Sequence, residues 1–593
     1  MTYQPRYRNL IQLFTEAVEQ FARRPLFGTR KPQGWHWTTY AEFAELVARA
    51  RGGLHARGVR AGDRVAVIAN NRLEWAVGAY ASYTLGAMYV PMYEAQLDKD
   101  WQHILRDCGA KLCFVANAKI KQRVEGLRAQ LPALEHVIEY DDATWNQLLA
   151  DGVSQSIAPV AAQDGDIAML IYTSGTTGNP KGVQLTHFNL ASQVCGVLDI
   201  APLIRDEVSL SFLPWAHVFG GVLELNVMMA HGERVAICEH TDRLLDYLGE
   251  VKPTLLFAVP RIWNRIYDGV NKQIAARPAP IQQLFKLGMQ LKSRQKTGGA
   301  LSLPERGLLA LADKLLFSKV RGRFGGHLRF AISGAAALSP EVGEFIDNLG
   351  IVVLEGYGLT ETSGAATGSM IEARRKGSVG RAVPGFEIKL DRSVTGADDG
   401  EGEILIYGTG VMRGYYNQPE ETAKTLTADG GLRTGDLGRL DADGFLYITG
   451  RVKELYKLSN GKYVAPAPIE EKLQLSPYIS QAFVYGQDRP HNTAVLIVDL
   501  PSLKPWAAER GIHKSDDQLL SDPNVRDLYR REIAAHSRDL KGYEQIRDFI
   551  LDHEAFNTEN DLLTPTFKIK RRNVVRKYEQ QLNALYALPA TGT

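Results

Sequence analysis

The stretch from Thr173 to Gly182, TSGTTGNPKG, concentrates hydroxyls, glycines and one lysine directly after the apolar run IAMLIY. Backbone N–H groups and hydroxyls in such a loop can donate to phosphate oxygens, and a lysine supplies positive charge. The candidate ligand groups are Thr173, Ser174, Gly175, Thr176, Thr177, Gly178 and Lys181. The pattern predicts a nucleotide triphosphate site. The alternative is a polar turn between two strands, which rarely carries so many hydroxyls.

A Walker-type phosphate loop is the competing interpretation of the same residues. Its pattern GxxxxGK[ST] fails here, because Pro180 precedes Lys181 and Gly182 follows it, so the magnesium-binding hydroxyl is missing. A kinase or GTPase is therefore the weaker alternative, although both interpretations share ATP as the ligand.

Four further segments follow the loop in a fixed order: GYGLTET (356–362), LRTGDLG (432–438), ITGRVKEL (448–455) and TPTFKIKRR (564–572). The loop and these segments resemble the ordered signatures of the adenylate-forming superfamily. Within it the chain is most similar to long-chain fatty acyl-CoA synthetases, through LPWAHVFG, AVPRIWNRIYDGV, ADKLLFSKVRGRFGGHLRFAISGAA and KLSNGKYVAPAPIE. The resemblance covers essentially the whole chain.

The resemblance implies an α/β fold with two domains. Residues 1–450 would form a large AMP-binding domain of two α/β subdomains plus a small β-barrel-like sheet, and residues 451–593 a smaller, mobile α+β domain. It also implies the reaction. A fatty acid would attack the α-phosphate of Mg·ATP, release diphosphate and pass from the acyl-adenylate to coenzyme A, giving acyl-CoA and AMP.

In the second signature, the resemblance implies that Tyr357 packs against adenine, Thr360 approaches the α-phosphate and Glu361 binds Mg²⁺. An oxygen ligand suits that ion, which offsets phosphate charge. Thr176 would be a further Mg²⁺ ligand. Other implied nucleotide contacts are Gly334, Ala335, Glu355, Gly356 and Gly358. A glycine-flanked turn with a buried tyrosine is the alternative, but it leaves the Thr-Glu pair unexplained.

The third signature contributes an acidic residue, Asp436, and the fourth a basic residue, Arg451. Asp436 would accept hydrogen bonds from the ribose hydroxyls, and Arg451 would hold the ribose or a phosphate. The alternatives are a surface carboxylate paired with Arg433 and a solvated surface arginine, the usual state of a lone arginine.

His217 lies in the apolar segment LPWAHVFG. A core histidine with one satisfied nitrogen is one interpretation. The resemblance instead implies a position where the fatty acid meets the phosphates, and the two interpretations stay open. A general base is not needed, because a carboxylate substrate is already ionised near neutral pH.

The last signature supplies Lys568, which the resemblance implies contacts both the substrate carboxylate and the α-phosphate. Phe567 stands where glycine is common, so Lys570 is the second candidate. The C-terminal domain would rotate about Lys453 after adenylation. The loop at Gly461 would then line the pantetheine channel of coenzyme A, where glycine permits close approach.

The elements that must position these residues follow a β-α-β rhythm. RVAVIAN (64–70), MYVPM, IAMLIYTS, TLLFAVP, LRFAISG and IVVLEGYG indicate strands, with helical patterns between several of them. Such repeats predict mostly parallel sheets covered by helices. From about residue 401, GEILIYG and GFLYITG with the turn DADG predict a smaller sheet. AFVYGQ and TAVLIVDL predict another beyond Arg451.

Residues 272–325 form a helix-patterned insertion. Ile281, Leu284, Phe285 and Leu291 share one helical face, and Lys286, Lys292, Arg294 and Lys296 supply charge. Peripheral membrane contact is one interpretation of this pattern. Solvated helices packed on the body of the protein are the other.

The chain of 593 residues has 45% hydrophobic and 23% charged residues, typical of a soluble globular protein with two or more domains. A formal charge of +2 gives no global attraction to nucleic acid. Cys108, Cys113, Cys195 and Cys238 lack metal or redox spacing, which favours buried free thiols. No apolar segment is long enough to span a bilayer. We expect a cytoplasmic protein.

Several rivals share part of these features. Within the superfamily they are a ligase that loads a carrier protein, a peptide-synthetase adenylation module and a luciferase-like oxygenase. The sequence ends at Thr593, 25 residues after Lys568, so we expect no attached carrier domain. A non-catalytic nucleotide-binding or membrane-associated sensor would have no reason to keep both Glu361 and Lys568. Acyl chain length stays open, because pockets separate neighbouring chain lengths by only about 1–3 kcal/mol.

Overall fold

The computed structural model describes residues 3–173, 179–394, 400–564 and 568–587. Contacts between Cα atoms divide the chain into two compact units. Unit 1 contains the chain up to Lys389 together with 405–434 and 440–447. Unit 2 contains 390–404, 435–439 and the chain from Ile448 onward. The boundary at residue 450 between a large domain and a mobile C-terminal domain stays a prediction.

The strands, in chain order, are β1 Pro25–Lys31, β2 Gly34–Thr39, β3 Arg64–Ile68, β4 Met88–Met92, β5 Leu112–Val115, β6 His136–Glu139, β7 Ile167–Thr173, β8 Lys181–Thr186, β9 Val208–Ser211, β10 Arg234–Ile237, β11 Leu255–Ala258, β12 Phe330–Ser333, β13 Val352–Leu359, β14 Gly364–Gly368, β15 Arg381–Ala382, β16 Phe386–Asp391, β17 Gly402–Gly408, β18 Gly414–Tyr415, β19 Leu432–Leu440, β20 Leu446–Arg451, β21 Tyr456–Lys457, β22 Tyr463–Val464, β23 Ile479–Tyr485, β24 Asn492–Val498 and β25 Ile546–Asp552.

The α-helices are α1 Leu10–Phe21, α2 Tyr40–Ala56, α3 Leu73–Thr84, α4 Asp98–Cys108, α5 Ala118–Gly126, α6 Ala143–Ser154, α7 His187–Ile200, α8 Leu225–His231, α9 Leu244–Val251, α10 Pro260–Ala275, α11 Ala279–Lys296, α12 Leu303–Ala312, α13 Ser318–Arg323, α14 Pro340–Asn348, α15 Pro419–Thr425, α16 Pro466–Leu473, α17 Leu500–Ala508, α18 Asp516–Leu520, α19 Pro523–His536 and α20 Arg571–Ala587. Two π-helical turns, Phe219–Glu224 and Asp313–Phe317, precede α8 and α13.

Two large sheets organise unit 1. One has nine strands in the order β15-β14-β13-β12-β11-β9-β10-β1-β2, and its six central strands run parallel. The other has seven strands in the order β18-β8-β7-β4-β3-β5-β6, of which the last five are parallel. The predicted parallel sheets are therefore present. The edge strands β2, β14, β15, β8 and β18 are antiparallel, so each sheet is mixed.

Local sequence signals fix where key helices begin. Thr186 ends β8 and caps α7, because its hydroxyl accepts the Asn189 backbone N–H over 3.0 Å while the Asn189 side chain accepts the Thr186 N–H. Pro260 begins α10 directly after β11, where a missing N–H costs nothing. These starts place both helices immediately behind strands of the sheets.

A smaller sheet has four strands in the order β16-β17-β19-β20. The turn DADG joins β19 to β20, and it does not join GEILIYG to GFLYITG as the sequence pattern suggested. The strand LRTGDLGRL was missed, because its glycine and charged residues weaken the alternating apolar pattern.

Unit 2 has its own three-stranded sheet, β23-β24-β25, which confirms the strands predicted at AFVYGQ and TAVLIVDL. Residues of α16, α17 and α19, including Leu473, Leu503 and Tyr529, pack with this sheet in one buried cluster. On the other side, Val574, Tyr578 and Leu582 of α20 pack with Phe483 and Val495. Unit 2 is therefore built around a sheet covered by helices.

The insertion is helical, as predicted, and part of its apolar face packs against neighbouring helices. Phe285 and Leu291 of α11 are buried, and the ring of Phe285 packs against those of Phe317 and Phe345. Arg294 pairs with Glu305 and Lys296 with Asp347. The packed-helix interpretation is therefore the one that the structure supports. Within the described ranges, no helix is both long enough and apolar enough to cross a bilayer.

The four cysteines are buried and carry free thiols, as predicted. Burial raises the pKa of the Cys108 and Cys238 thiols to about 12, which keeps them protonated and unreactive at neutral pH.

Candidate active site

A cavity of about 760 Å³, including open solvent at its mouth, lies in unit 1. Seven residues predicted from the sequence line it together, namely His217, Gly334, Ala335, Glu355, Gly356, Tyr357 and Gly358. Segments separated by more than a hundred residues in sequence thus converge on one site.

Parallel pairing of β12 with β13 brings two of these segments together. Ser333 pairs with Glu355, so Gly334 and Ala335 continue beside Gly356 at the carboxyl ends of the strands. Crevices at such strand ends are the usual ligand sites of α/β sheets. Ala335 has φ of 68°, a left-handed conformation that is uncommon for alanine and is typical of functional sites.

Gly358 is required by the close approach of β14. A Cβ atom at this position would lie 1.7 Å from the carbonyl oxygen of Gly364, which no side chain can tolerate. The glycines of GYG therefore let β13 and β14 pair tightly, with Tyr357 opposite Thr367. This pairing holds the Tyr357 backbone at the cavity edge.

The remaining cavity wall is mostly apolar. The π-helical turn contributes Phe219 and Leu223, and the sheet contributes Phe257 from β11. The rings of Phe219 and Phe257 meet edge to face, with centroids 5.7 Å apart. Further wall residues are Val197, Ile200, Pro202, Val218, Ile332, Leu354 and Val383. Such a wall suits a hydrocarbon chain, because burial of each methylene contributes about 0.8 kcal/mol.

His217 combines features of both sequence interpretations. Its Nδ1 accepts the backbone N–H of Phe219 over 3.2 Å, as a satisfied core histidine would, yet the residue lines the cavity. Because Nδ1 accepts, the neutral ring carries its proton on Nε2. His217 is therefore a donor at Nε2, which fits the recognition of an anion better than proton abstraction.

The carboxyl of Glu355, which lines this cavity, has a displaced pKa. Burial raises the pKa of its carboxyl to about 7, opposed by a hydrogen bond from the Leu338 backbone. Near neutral pH a substantial share of Glu355 is protonated, so its carboxyl can donate as well as accept a hydrogen bond.

Thr360 and Glu361 form a short 3₁₀ turn directly after β13. Thr360 is buried, and the Glu361 carboxylate accepts the Tyr415 hydroxyl over 2.8 Å. The Glu361 backbone carbonyl accepts the Met412 N–H, which fixes the turn against the β18 segment. The structure thus holds the predicted metal ligand by both backbone and side chain.

The structure describes both ends of the predicted phosphate loop. Thr173 ends β7 and pairs with Lys181 at the start of β8, so the loop connects antiparallel strands. The predicted ligands Ser174, Gly175, Thr176, Thr177 and Gly178 lie outside the described residues. Lys181 pairs with Glu421 of α15, and its Nζ lies 5.1 Å from the centre of the Tyr415 ring.

In unit 2, Asp436 and Arg451 contact each other. Arg451 Nε lies 2.8 Å from Asp436 Oδ1, and only 4% of the Asp436 side chain is exposed. The surface carboxylate interpretation of Asp436 is therefore wrong, because β19 places it inside the sheet next to β20. Arg451 is the partner, and the roles of both residues toward ribose stay predictions.

The two candidate lysines of the last signature differ in their surroundings. Lys568 is exposed, and its backbone is fixed by hydrogen bonds in both directions with Thr564. Lys570 pairs with Asp561 at 2.5 Å. The assignment of the adenylation role to Lys568, with Lys570 as the second candidate, stays a prediction. Phe567 lies outside the described residues.

Gly461 lies in the hairpin between β21 and β22, with φ of 85°. Its N–H donates to the Leu458 carbonyl over 2.9 Å, which closes the turn. A side chain would be strained by this backbone conformation. Gly461 therefore closes a tight turn, and its contact with coenzyme A stays a prediction.

Residues 14–416 match the family described as AMP-binding enzyme, and residues 454–589 match the AMP-binding enzyme C-terminal domain. This chain belongs to the AMP-binding enzyme family. Among AMP-binding enzymes, the chain is 34% identical to the long-chain-fatty-acid–CoA ligase FadD15 of Mycobacterium bovis, over 93% of this chain and 92% of that one. It is 33% identical to the peroxisomal long chain acyl-CoA synthetase 7 of Arabidopsis thaliana, over 98% and 87%.

A human relative, long-chain-fatty-acid–CoA ligase 1, is 31% identical over 98% of this chain and 86% of that one. The adenylation domain of a carboxylate reductase from Mycobacterium chelonae superposes with a TM-score of 0.81 at 24% identity, covering 99% of this chain and 92% of that one. The anthranilate CoA ligase AuaEII superposes with a TM-score of 0.74 at 21% identity, covering 98% and 99%. The predicted α/β fold of the AMP-binding enzymes is confirmed.

Sequence reasoning missed Tyr415 and Glu421. They follow the glycine of RGYYN, and no chemical motif marks them. Tyr415 reaches the site because β18 pairs with β8, opposite Val183, and this pairing is a tertiary event. The local signal was weak, since Tyr415 directly follows Gly414 and Glu421 lies two residues after Pro419.

Proposed function

We propose that this AMP-binding enzyme is a long-chain fatty acid–CoA ligase. The observation that supports this proposal is the composition of the cavity. Its apolar wall adjoins Ala335 and Tyr357, which lie at the carboxyl ends of neighbouring strands. One site can thus hold a hydrocarbon chain beside a nucleotide. The named activities of the relatives with 31–34% identity support the same conclusion.

The reaction proceeds in two steps. A carboxylate oxygen of the fatty acid attacks the α-phosphorus of ATP, the bond to the diphosphate oxygen breaks, and acyl-adenylate forms. The coenzyme A thiol, after losing its proton, then attacks the acyl carbon and displaces AMP. Catalysis is mainly positioning and charge neutralisation, so no nucleophilic side chain is needed.

Mg²⁺ fits the residues that the structure holds at this site. It favours oxygen ligands and is commonly bound by one or two carboxylates together with substrate phosphates. Glu361 would hold it, with Thr176 as the second proposed ligand, and the ion would offset phosphate charge. The Tyr415 hydroxyl orients the Glu361 carboxylate for this purpose.

The other proposed roles follow the motif positions. Tyr357 packs on adenine, with Glu355, Gly356 and Gly358 beside it, and Thr360 approaches the α-phosphate. Asp436 and Arg451 hold the ribose. Lys568 neutralises the carboxylate and the α-phosphate during adenylation, and the Gly461 hairpin lines the channel for coenzyme A in the second step.

A separate carrier protein is the alternative acceptor of the acyl group. Incubation of the protein with a panel of saturated fatty acids, Mg·ATP and coenzyme A tests both possibilities. We expect AMP, diphosphate and acyl-CoA, each dependent on the fatty acid. ADP formation would contradict the proposal, and AMP formation without any thioester on coenzyme A would favour the carrier.

We also propose a cytoplasmic enzyme that contacts membranes peripherally through the outer side of α12 and the turn after it. Leu303 is 82% exposed, and Leu311 and Leu315, four residues apart, are 46% and 39% exposed. Lys314 and Lys319 are exposed beside them. Exposed leucines flanked by lysines suit an anionic membrane surface, from which fatty acids would be drawn.

A further inference from the structure

Arg571 is the first residue of α20, three positions after Lys568. Its Nη2 donates to both carboxylate oxygens of Glu470, each over 2.7 Å, and its Nη1 donates to the Val484 carbonyl over 3.3 Å. Its guanidinium carbon lies 5.1 Å from the centre of the Phe483 ring. The side chain is thus fixed against α16 and β23 at the same time.

Glu470 completes this buried arrangement. It lies on α16, nine residues after Gly461, and only 7% of its side chain is exposed. The same Oε1 that faces Arg571 also accepts the backbone N–H of Val484 over 2.7 Å. Helix α16, which follows the Gly461 hairpin, is therefore joined to the helix that follows Lys568.

A third carboxylate links this pair to the proposed hinge. Glu454 Oε2 lies 3.6 Å from Arg571 Nε, and Glu454 directly follows Lys453. Burial alone would lower the pKa of Arg571, but the carboxylates of Glu470 and Glu454 outweigh it and raise the pKa. The guanidinium stays charged throughout the range in which an enzyme works.

An ion pair and a hydrogen bond also fix the segment that leads to Arg571. Lys570 pairs with Asp561, and the Asn573 side chain donates to the Asp561 carbonyl over 2.7 Å. The end of the Lys568 segment therefore cannot move independently of α20. Any shift of α20 relative to α16 would change the distance between Lys568 and the Gly461 hairpin.

We propose that Arg571 is a positioning residue for both half-reactions, because it joins the Lys568 segment, the helix behind the Gly461 hairpin and the residue next to Lys453 into one unit. This inference rests on the proposed function, in which Lys568 serves adenylation and Gly461 serves thioester formation. The guanidinium of Arg571 keeps the Lys568 segment and the Gly461 hairpin at a constant separation while the C-terminal domain rotates between the two half-reactions.

A double substitution tests this, because removal of Arg571 alone would leave the buried carboxylate of Glu470 unpaired. Glu470→Gln keeps the acceptor for Val484, and Arg571→Met keeps much of the side-chain volume, so the double variant removes both charges together. The matched control is Arg526→Met with Asp548→Asn, an arginine–carboxylate pair of the same unit at 3.1 Å.

Each half-reaction is measured separately, as fatty-acid-dependent diphosphate release and as conversion of supplied acyl-adenylate to acyl-CoA. We expect the double variant to lose kcat in both by about 10²-fold, the scale for small misplacement of catalytic groups, with KM for ATP unchanged. The control pair should keep both rates. Retention of both rates by the double variant, or loss confined to one half-reaction, would overturn the inference.

Glu470→Gln alone is the milder second variant, because it keeps the shape of the side chain and a neutral hydrogen bond. We expect it to slow both half-reactions to a smaller and similar degree, with the thermal unfolding midpoint close to that of the unmodified protein. Unchanged rates here would also contradict the positioning role. Failure of the unmodified protein to form AMP or acyl-CoA would instead contradict the proposed function itself.

Discussion

The Tyr415 hydroxyl donates to Glu361 Oε1 over 2.8 Å, while the ammonium of Lys181 lies over the same aromatic ring. One tyrosine thus contacts the proposed Mg²⁺ ligand and the lysine of the phosphate loop. These two residues lie 180 positions apart in sequence, and only the pairing of β18 with β8 brings Tyr415 to them. The relationship connects the metal and phosphate parts of the site.

Tyr415→Phe should weaken Mg²⁺ binding during adenylation without removing the ring beneath Lys181. A hydrogen bond to a charged group contributes about 1.5–3 kcal/mol, so the Mg²⁺ concentration for half-maximal diphosphate release should rise by about tenfold or more. Tyr416→Phe, at the neighbouring position, is the control and should leave it unchanged. An equal shift in both variants would contradict the orienting role.

Glu421→Gln should lower KM for ATP. Lys181 is paired with Glu421, and this pairing lowers the pKa of the Glu421 carboxyl to about 2. Lys181 must leave this partner to reach a phosphate, and a part-exposed ion pair contributes about 0.2–1 kcal/mol, so KM should fall by about 1.4- to fivefold. Glu420→Gln is the control. A rise in KM would mean that Glu421 positions Lys181 for binding instead.

Glu224→Gln should stabilise the protein at alkaline pH and leave it nearly unchanged at acidic pH. Glu224 is fully buried, and burial raises the pKa of its carboxyl from 4.5 to about 7, opposed by a hydrogen bond from the Ser211 hydroxyl over 2.7 Å. Because the folded form keeps a proton that the unfolded chain has lost, stability falls as pH rises from about 4.5 to about 7.

The glutamine variant cannot ionise, so it should escape this loss, which amounts to about 3 kcal/mol above pH 7. Thermal unfolding midpoints of both proteins at pH 5 and pH 8 measure the effect. The unfolding midpoint of the variant should exceed that of the unmodified protein only at pH 8. An equal difference in midpoint at both pH values would show that Glu224 does not titrate in this range.

Lys568→Ala should lose adenylation by about 10²-fold or more, the scale for removal of one charge-stabilising donor, and still convert supplied acyl-adenylate to thioester. Gly461→Leu should do the reverse. Lys570→Met, which removes the partner of Asp561, should affect the thermal unfolding midpoint more than either half-reaction. Equal losses in both half-reactions for Lys568→Ala and Gly461→Leu would contradict separate roles.

Leu311→Ser combined with Leu315→Ser should reduce flotation of the protein with anionic phospholipid vesicles. Reversal of Lys314 and Lys319 to glutamate should do the same at low salt, because basic residues add attraction to anionic lipid. Leu245→Ser is the control, since Leu245 is 70% exposed on α9, away from this helix in sequence. Equal flotation of all variants would remove the membrane proposal.

The sequence by itself determined the parts of this protein whose physics is local. The strand at 167–173 and the strands at AFVYGQ and TAVLIVDL follow from their apolar runs. The ordered motifs likewise indicated the family, the α/β fold and seven of the residues that line the cavity. Each of these signals lies within a short window, where residue type and spacing are sufficient.

Only the tertiary structure decided which side chains meet. Asp436 pairs with Arg451, Lys570 pairs with Asp561, and the apolar face of α11 packs inward against Phe317. Tyr415 and Arg571 gained their importance in the same way. Such contacts depend on strand pairing and helix packing between segments far apart in the chain, and a linear pattern does not encode those distances.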